Sequence, residues 1–435
     1  MERWGRRAAA AAIVAALFFG TGCASPSEKS REMVRVPQDV ASVSEAADVV
    51  AEGGMIVIAP GVYPEQVLID TPDVTVRGED RNKTVIDGDG IRPYGIVAIA
   101  DGVRIENLTV TGAAFYGVLF TGLHDESGPS SPTATGYEPW DPSQFPPLQR
   151  FLVDHVTAYN NGLYGIYAFN AQNGEIRDSY ASGSSDSGFY VGQCEQCGIV
   201  VTGNVAERNA VGFENANASD SVVVAANRFS GNRIGVTLLS SYQEAFTPQR
   251  GNDIVGNLII DNIASDSPSQ AEGAYATGVG ISGGHTNNFE RNRISGHPRA
   301  GVILTNTEDT AAEGNRFSDN VLEANGVDIA NTSASRSPAT GNCAPSMVST
   351  APVDLAAQLA RACDGEPGTQ PSTAALTTPP APPGISFLQV PAPREQPNLP
   401  PRESYPPLPA RVAFPDLERF AVPDASFLAD RVGAQ

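Results

Sequence analysis

The chain has 435 residues, with 28 Lys and Arg against 49 Asp and Glu and a formal net charge of −21. That balance excludes nucleic acid and anionic lipid headgroups as electrostatic partners, because an acidic surface repels both, and it disfavours a polyanionic substrate unless a cation intervenes. Beyond the N-terminal run described next, no segment approaches the roughly eighteen uninterrupted apolar residues of a spanning helix.

The first element is a processing segment. Arg3, Arg6 and Arg7 precede an apolar run from Ala8 to Phe19 that closes on Gly20-Thr21-Gly22-Cys23. The run is too short for a mature membrane span, and the small residues before Cys23 suit a signal peptidase. The pattern resembles a bacterial lipoprotein signal, which implies removal of residues 1–22 and lipidation of Cys23. The mature protein would then be exported and anchored in the lipid bilayer at the outer face of the bacterial cell membrane. A plain secretory signal is the alternative. Residues 23–35 read as a linker.

From residue 36 a repeat dominates. A Gly, an apolar residue, a variable residue and usually another apolar one recur at Gly95-Ile96-Val97-Ala98, Gly117-Val118-Leu119-Phe120, Gly165-Ile166-Tyr167-Ala168, Gly188-Phe189-Tyr190-Val191 and Gly212-Phe213-Glu214-Asn215. The series continues at Gly235, Gly278, Gly301 and Gly326, with glycines 22 to 25 residues apart except for gaps of 48 and 43. A second marker, a polar residue opening a short strand, keeps the same period at Asn107, His155, Asp178, Asn204, Asn227, Asn257, Asn292 and Asn315. Strands this short cannot bury a face alone, but stacked as coils about 4.8 Å apart they can, with the Asn side chains hydrogen-bonding up and down a turn. The fold expected is all-β: a right-handed parallel β-helix of about ten coils over residues 36–342. The amphipathic stretch Val43 to Val50 would cap its N-terminal end, protecting the open sheet edge. Insertions are expected at 122–150 and 241–275, the first being Pro-, Ser- and Gly-rich and carrying Tyr137, Trp140 and Phe145.

Residues 55–335 resemble the pectin-lyase-like β-helix superfamily. The coil Ser185-Asp186-Ser187-Gly188-Phe189-Tyr190-Val191-Gly192-Gln193 is similar to that of bacterial parallel β-helix repeat proteins of unassigned activity. The repeat also resembles the β-helix accessory protein of nitrous oxide reductase. Resemblance of this kind implies the fold and not a reaction. The paired Asp and Arg of pectin methylesterases, the Arg-x-Pro-x-x-Arg setting of pectate lyases and the Asp-Pro-His-Asp motif of alginate epimerases are missing, although Asp154-His155 is a fragment of the last.

Apart from Cys23, the cysteines are Cys194, Cys197, Cys343 and Cys363. An even number in an oxidising compartment reads as two disulfides, with a redox or half-metal role for Cys194-Glu195-Gln196-Cys197 as the alternative. Residues 343–363 read as a C-terminal cap. Sixteen of the 34 prolines fall in the extension 364–435, which can form neither ladder nor helix and is expected to pack back on the solenoid in part, in extended form.

Two sets of residues carry chemistry. The variable residue of the repeat points outward, so Tyr167 and Tyr190 would stack as an aromatic platform for sugar rings, unless they pack beneath the 122–150 loop, with Trp140, Asp186 and Glu214 beside them. At the polar marker, His155 and Asp178 occur in successive coils, giving either a base and its orienter or two substitutes in the structural Asn column. No cofactor is expected. Ca²⁺ at Asp186 and Glu214 has too few ligands to define a site, and no metal-ligand motif is present. The leading expectation is an envelope lipoprotein that binds polysaccharide on one face of the solenoid. The alternatives are a polysaccharide lyase or uronate C5-epimerase, in which His155 abstracts a proton and Tyr164, Tyr167 or Tyr190 donates one, and a non-catalytic structural or assembly protein of the envelope.

Overall fold

A computed structural model describes residues 29–433 except 127, 130–139, 243–244, 346–347, 367 and 403. The signal segment, Cys23 and Tyr137 lie outside the described residues. Three parallel sheets of 11, 10 and 11 strands run the length of a right-handed β-helix, each coil contributing one strand to the first, second and third sheet in turn. Inward columns form the core. Val76, Ile105, Val153, Ile176, Val201, Val224, Ile254, Phe289 and Phe317 are in register along the first sheet, and Ile96, Val118, Ile166, Phe189, Phe213, Val236, Val279, Val302 and Ile329 along the third. All are buried.

The repeating glycine has a steric cause. A Cβ on Gly212 would sit 2.6 Å from the Gly235 carbonyl, and Gly235 and Gly278 meet the carbonyls of Gly278 and Gly301 at the same distance. The column exists because neighbouring coils touch backbone to backbone there. Gly326 departs from it. Ile303 pairs with Ala330, not Asp328, and a Cβ on Gly301 meets the Asp328 carbonyl, so the last coil is displaced by two residues from the repeat expected. Asp328 therefore does not belong to the outward column.

Each corner carries its own amide ladder. Between the first and second sheets, Asn204, Asn227, Asn257, Asn292 and Asn320 stack, each Oδ1 accepting the backbone N–H of the residue one coil earlier. Asn209, Asn232, Asn262, His297 and Asn325 line the next corner. Asn252, Asn287, Asn315 and Asn342 line the third. Asn315 thus belongs to a different corner from the other markers. The marker also conceals a slip of one residue. Asn107, His155 and Asp178 align with Gly203, Ala226, Gly256, Arg291 and Asp319, all at left-handed φ between 48 and 67°. Their ladder counterparts are the following residues, such as Ser179, whose N–H donates to Asn204.

Both ends are covered. Helix α1 (Val43–Val49) begins at Ser42, whose hydroxyl accepts from Glu45 N–H at 3.1 Å, and buries Val43, Ala46 and Ala47. Helix α2 (Leu355–Cys363) buries Leu355 and Leu359, and its last residue is joined to Cys343. Cys194 and Cys197 form the second disulfide. Where a linker was expected to extend to residue 35, Arg31–Val36 forms a strand paired with Val50–Ile58. Its inward Val34 and Val36 face the core, which the short repeat-based reading had no neighbouring coil to reveal.

The Pro-rich extension lies along the solenoid with short 3-10 turns at Phe387–Gln389, Leu417–Arg419 and Ala429–Arg431. Proline removes backbone donors and leaves carbonyls to satisfy. Solenoid arginines meet them: Arg233 donates to Pro382, Arg81 to Pro397, Arg77 to Leu399 and Pro400, Arg291 to Leu417 and Phe420, Arg293 to Pro423, and Arg228 to Ala425 and Phe427. Val412, Leu417 and Phe420 also cover Val200, Val223 and Ala225. Deleting residues 392–435 is expected to lower the melting temperature by about 5–10 °C and to raise binding of an apolar dye. An unchanged melt would show that the extension is only laid on the surface.

Candidate functional site

The outer face of the third sheet carries one column through Leu119, Tyr167, Tyr190, Glu214, Thr237, Gly280, Ile303 and Ala330. Its two halves differ. In the first, Tyr164, Tyr167 and Tyr190 pack ring to ring at 4.6–4.8 Å, and Trp140 reaches Phe169 and Phe246 at 6.0 and 6.1 Å. Tyr167 is 2 % and Tyr190 1 % exposed. The expected aromatic platform is therefore a buried cluster, onto which Trp140 and Phe145 of the 122–150 loop pack. Apolar rings bury more area against one another than a wet sheet face would allow.

In the second half the face opens into a groove of about 480 Å³ lined by Asp186, Glu214, Thr237, Thr277, Gly280, Arg299 and Ile303, among others. Two features of the chain create it. Gly280 contributes no side chain to the outward column. The 264–275 insertion, at the corner between the second and third sheets, forms a wall: Gln270 donates to Asp186 at 2.6 Å, and the Gly273 carbonyl accepts from Arg299 at 2.6 Å.

The Asp186 and Glu214 carboxyls stand within hydrogen-bonding reach of each other. Ser187 Oγ donates to Glu214 at 2.5 Å. Burial pushes the Asp186 carboxyl up to about 6, while the hydrogen bonds from Glu214 and Ser187 pull it the other way. Along the groove, Thr237 Oγ1, Thr277 Oγ1 and Arg299 Nε are buried without a hydrogen-bond partner among the described residues. Arg299, Thr277 and Gln270 were not singled out from the sequence. A usable signal was the position two residues before each repeat glycine, which holds Asp186, Arg233 and Arg299.

His155 and Asp178 are elsewhere, at the corner between the first and second sheets, to which the third sheet contributes nothing. They do come together: donor atoms of Asp154, His155 and Asp178 lie within 4.8 Å of one another. The residue that holds the imidazole is Asp154, however, with Oδ1 2.6 Å from His155 Nδ1 and Oδ2 accepting from Arg177 at 2.8 Å. Burial raises the Asp154 carboxyl, but the bonds from His155 and Arg177 outweigh it and keep it below the usual range. Tyr164 belongs to the third sheet's aromatic cluster. The expected pairing of His155 as base with Tyr164, Tyr167 or Tyr190 as acid is thus separated by the fold.

The model of the family described as "Periplasmic copper-binding protein (NosD)" matches residues 52–275, more than half of the chain. The protein belongs to the NosD family. No curated protein matches the chain. Among solved structures, pectate lyase Pel9A is 17 % identical, covering 58 % of this chain and 70 % of its own, with a TM-score of 0.40. An alginate lyase from Paenibacillus sp. str. FPU-7 is 15 % identical, covering 66 % and 93 %, with a TM-score of 0.39. DFA-IIIase from Arthrobacter chlorophenolicus A6 is 14 % identical, covering 71 % and 93 %, with a TM-score of 0.40. Likeness at this level assigns no chemistry.

The family description names copper, and the Asp/His and Met sets found among the described residues do not fit it. Copper sites favour imidazole and soft sulfur donors. All four cysteines among the described residues are in disulfides. The Asp154, His155 and Asp178 set offers one imidazole and two carboxylates, with Arg177 on Asp154 and Arg81 and Arg431 donating to the Asp178 carbonyl. Three guanidinium groups oppose a cation there. Met33 and Met55 pair across the first sheet, but Arg35, Arg77 and Arg402 line the adjoining groove. No chemical step of this NosD-family chain is assigned to copper.

Proposed function

We propose that this is an exported NosD-family protein, anchored through a lipidated Cys23, that binds carbohydrate in the groove on the outer face of the third sheet. The observation that carries the reading is the coincidence, in one open groove, of two neighbouring carboxyl groups with buried hydroxyl and guanidinium donors that the protein leaves unsatisfied. Buried polar groups without partners are costly, and a polyhydroxylated ligand supplies both donors and acceptors for them. The buried tyrosines are not available to stack on sugars. Because His155 sits at another corner, binding in this groove does not engage it, which counts against a His155-dependent lyase or epimerase.

Gly280→Trp tests the site. An added Cβ meets the end of the Ile234 side chain at 3.3 Å and Thr237 Cγ2 at 4.0 Å, and no backbone, so the coil tolerates the change while the indole fills the groove. Glycan binding measured by array and calorimetry is expected to weaken at least tenfold, a loss of about 1.4 kcal/mol. Retained affinity for every bound glycan would place the site elsewhere.

A further inference from the structure

The groove is asymmetric in charge along its length. Asp186 stands just before Ser187, and Arg299 just before Ala300. Those two strand starts are joined through Val211, Ile234 and Thr277 in a single register. Four coil steps separate them, about 19 Å at the spacing of neighbouring strands. That is the length of a short oligosaccharide lying along the solenoid axis, with Thr237 and Thr277 between the two ends.

At one end, the Asp186 and Glu214 carboxyls stand side by side in the groove wall, with Ser187 Oγ donating to Glu214. At the other, Arg299 is the only cationic side chain lining the groove among the described residues. Its Nη1 is committed to the Gly273 carbonyl, its Nε is buried without a partner, and no carboxylate among the described residues acts on it. A buried guanidinium N–H without an acceptor points to an anionic oxygen, since charge-assisted pairing is what offsets its desolvation. The carboxyl pair works the opposite way, because a ligand carboxylate placed there would meet like charge in a protein already at −21.

We infer that the groove is directional and selects an oligosaccharide with a single anionic end unit, that unit seated at Arg299 and neutral sugar hydroxyls at Asp186 and Glu214. This rests on the carbohydrate reading above and narrows it. A chain bearing a carboxylate on every residue does not fit, since it would set one against the acidic end.

Three probes separate the outcomes by calorimetry on the full mature chain at pH 7: a neutral-chain tetrasaccharide ending in one uronic acid, the same compound with that carboxyl reduced to the alcohol, and a tetrauronate. The acid-ended compound is expected to bind about 10- to 100-fold more tightly than its reduced form, the range of one charge-assisted hydrogen bond, and more tightly than the tetrauronate. Arg299→Gln should erase the difference between the first two, and Arg299→Lys should restore part of it. Circular dichroism checks that both variants fold, and the comparison of the three probes on the unsubstituted protein stands whether or not they do. Equal binding of the acid-ended and reduced compounds, or tightest binding of the tetrauronate, overturns the anionic-end assignment while leaving carbohydrate binding in place. Failure of all three probes to bind overturns both readings.

Discussion

Asn257→Ala is expected to destabilise the solenoid by about 3–5 kcal/mol, the largest effect of any single side-chain truncation considered, and Asp178→Ala, at the same corner, by less than about 1 kcal/mol. Asn257 is fully buried. Its Nδ2 donates to the Val224 carbonyl at 2.8 Å and to Asn292 Oδ1 at 3.0 Å, and its Oδ1 accepts from Asn227 N and Nδ2 at 3.0 and 2.9 Å. Alanine removes one side chain but strands polar groups in both neighbouring coils, and each buried group left without a partner costs roughly 1–3 kcal/mol. A serine reaches fewer of them, so Asn257→Ser should fall between. Asp178 lies one residue outside the ladder, at φ 48°, where Ser179 holds the ladder position. Denaturant unfolding of the three variants decides the matter. Equal losses for Asn257→Ala and Asp178→Ala would mean that both occupy one column and that the corner is registered differently.

That one-residue slip illustrates how far the sequence carries. The glycine period was legible because a close approach of backbones, at Gly212, Gly235 and Gly278, admits no other residue. The insertions at 122–150 and 241–250 were legible as excess length, and both leave the corner between the third and first sheets. The distinction between a ladder Asn and the left-handed residue before it was not, because Asn and His serve both roles, as Asn107 and His155 against Asn257 and His297, and the two positions share one period. Nor could spacing show that Tyr167 and Tyr190 are buried, since outward residues become core when a loop lies over them. The groove was half visible: Asp186 and Glu214 announce themselves by charge, whereas Arg299 acquires meaning only through the Gly273 and Ala276 backbone that positions it. The extension's arginine contacts were invisible for a related reason. Guanidinium-to-carbonyl bonds between residues as distant as Arg77 and Leu399 leave no pattern in either segment.

His297→Asn is expected to change the sign of the protein's pH response between about pH 4 and 6.5. His297 fills an Asn position in the second ladder, fully buried, with Nε2 accepting from Asn262 Nδ2 and Nδ1 donating to Asn325 Oδ1, both at 3.1 Å. Burial drives its pKa down to about 4, against a weaker upward pull from Asn325. The folded protein therefore binds this proton less tightly than the unfolded chain. The stabilisation from the neutral ring is complete above the unfolded value near 6.5 and is lost as pH falls toward 4, roughly 3 kcal/mol in all. Asp186 acts in the same window with the opposite sign. Its folded pKa is raised from 3.8 to about 6, so the folded state holds that proton more tightly and stability declines as pH rises between those values. The two slopes offset one another in the wild type. Asn at 297 keeps the ladder's donor and acceptor without a titrating group, which leaves the Asp186 slope exposed, whereas Asp186→Asn leaves that of His297. Melting temperatures of the wild type and the two variants from pH 4 to 7 should accordingly show a shallow profile, one falling with pH and one rising. Parallel profiles for all three would mean that neither buried group changes its proton affinity on folding.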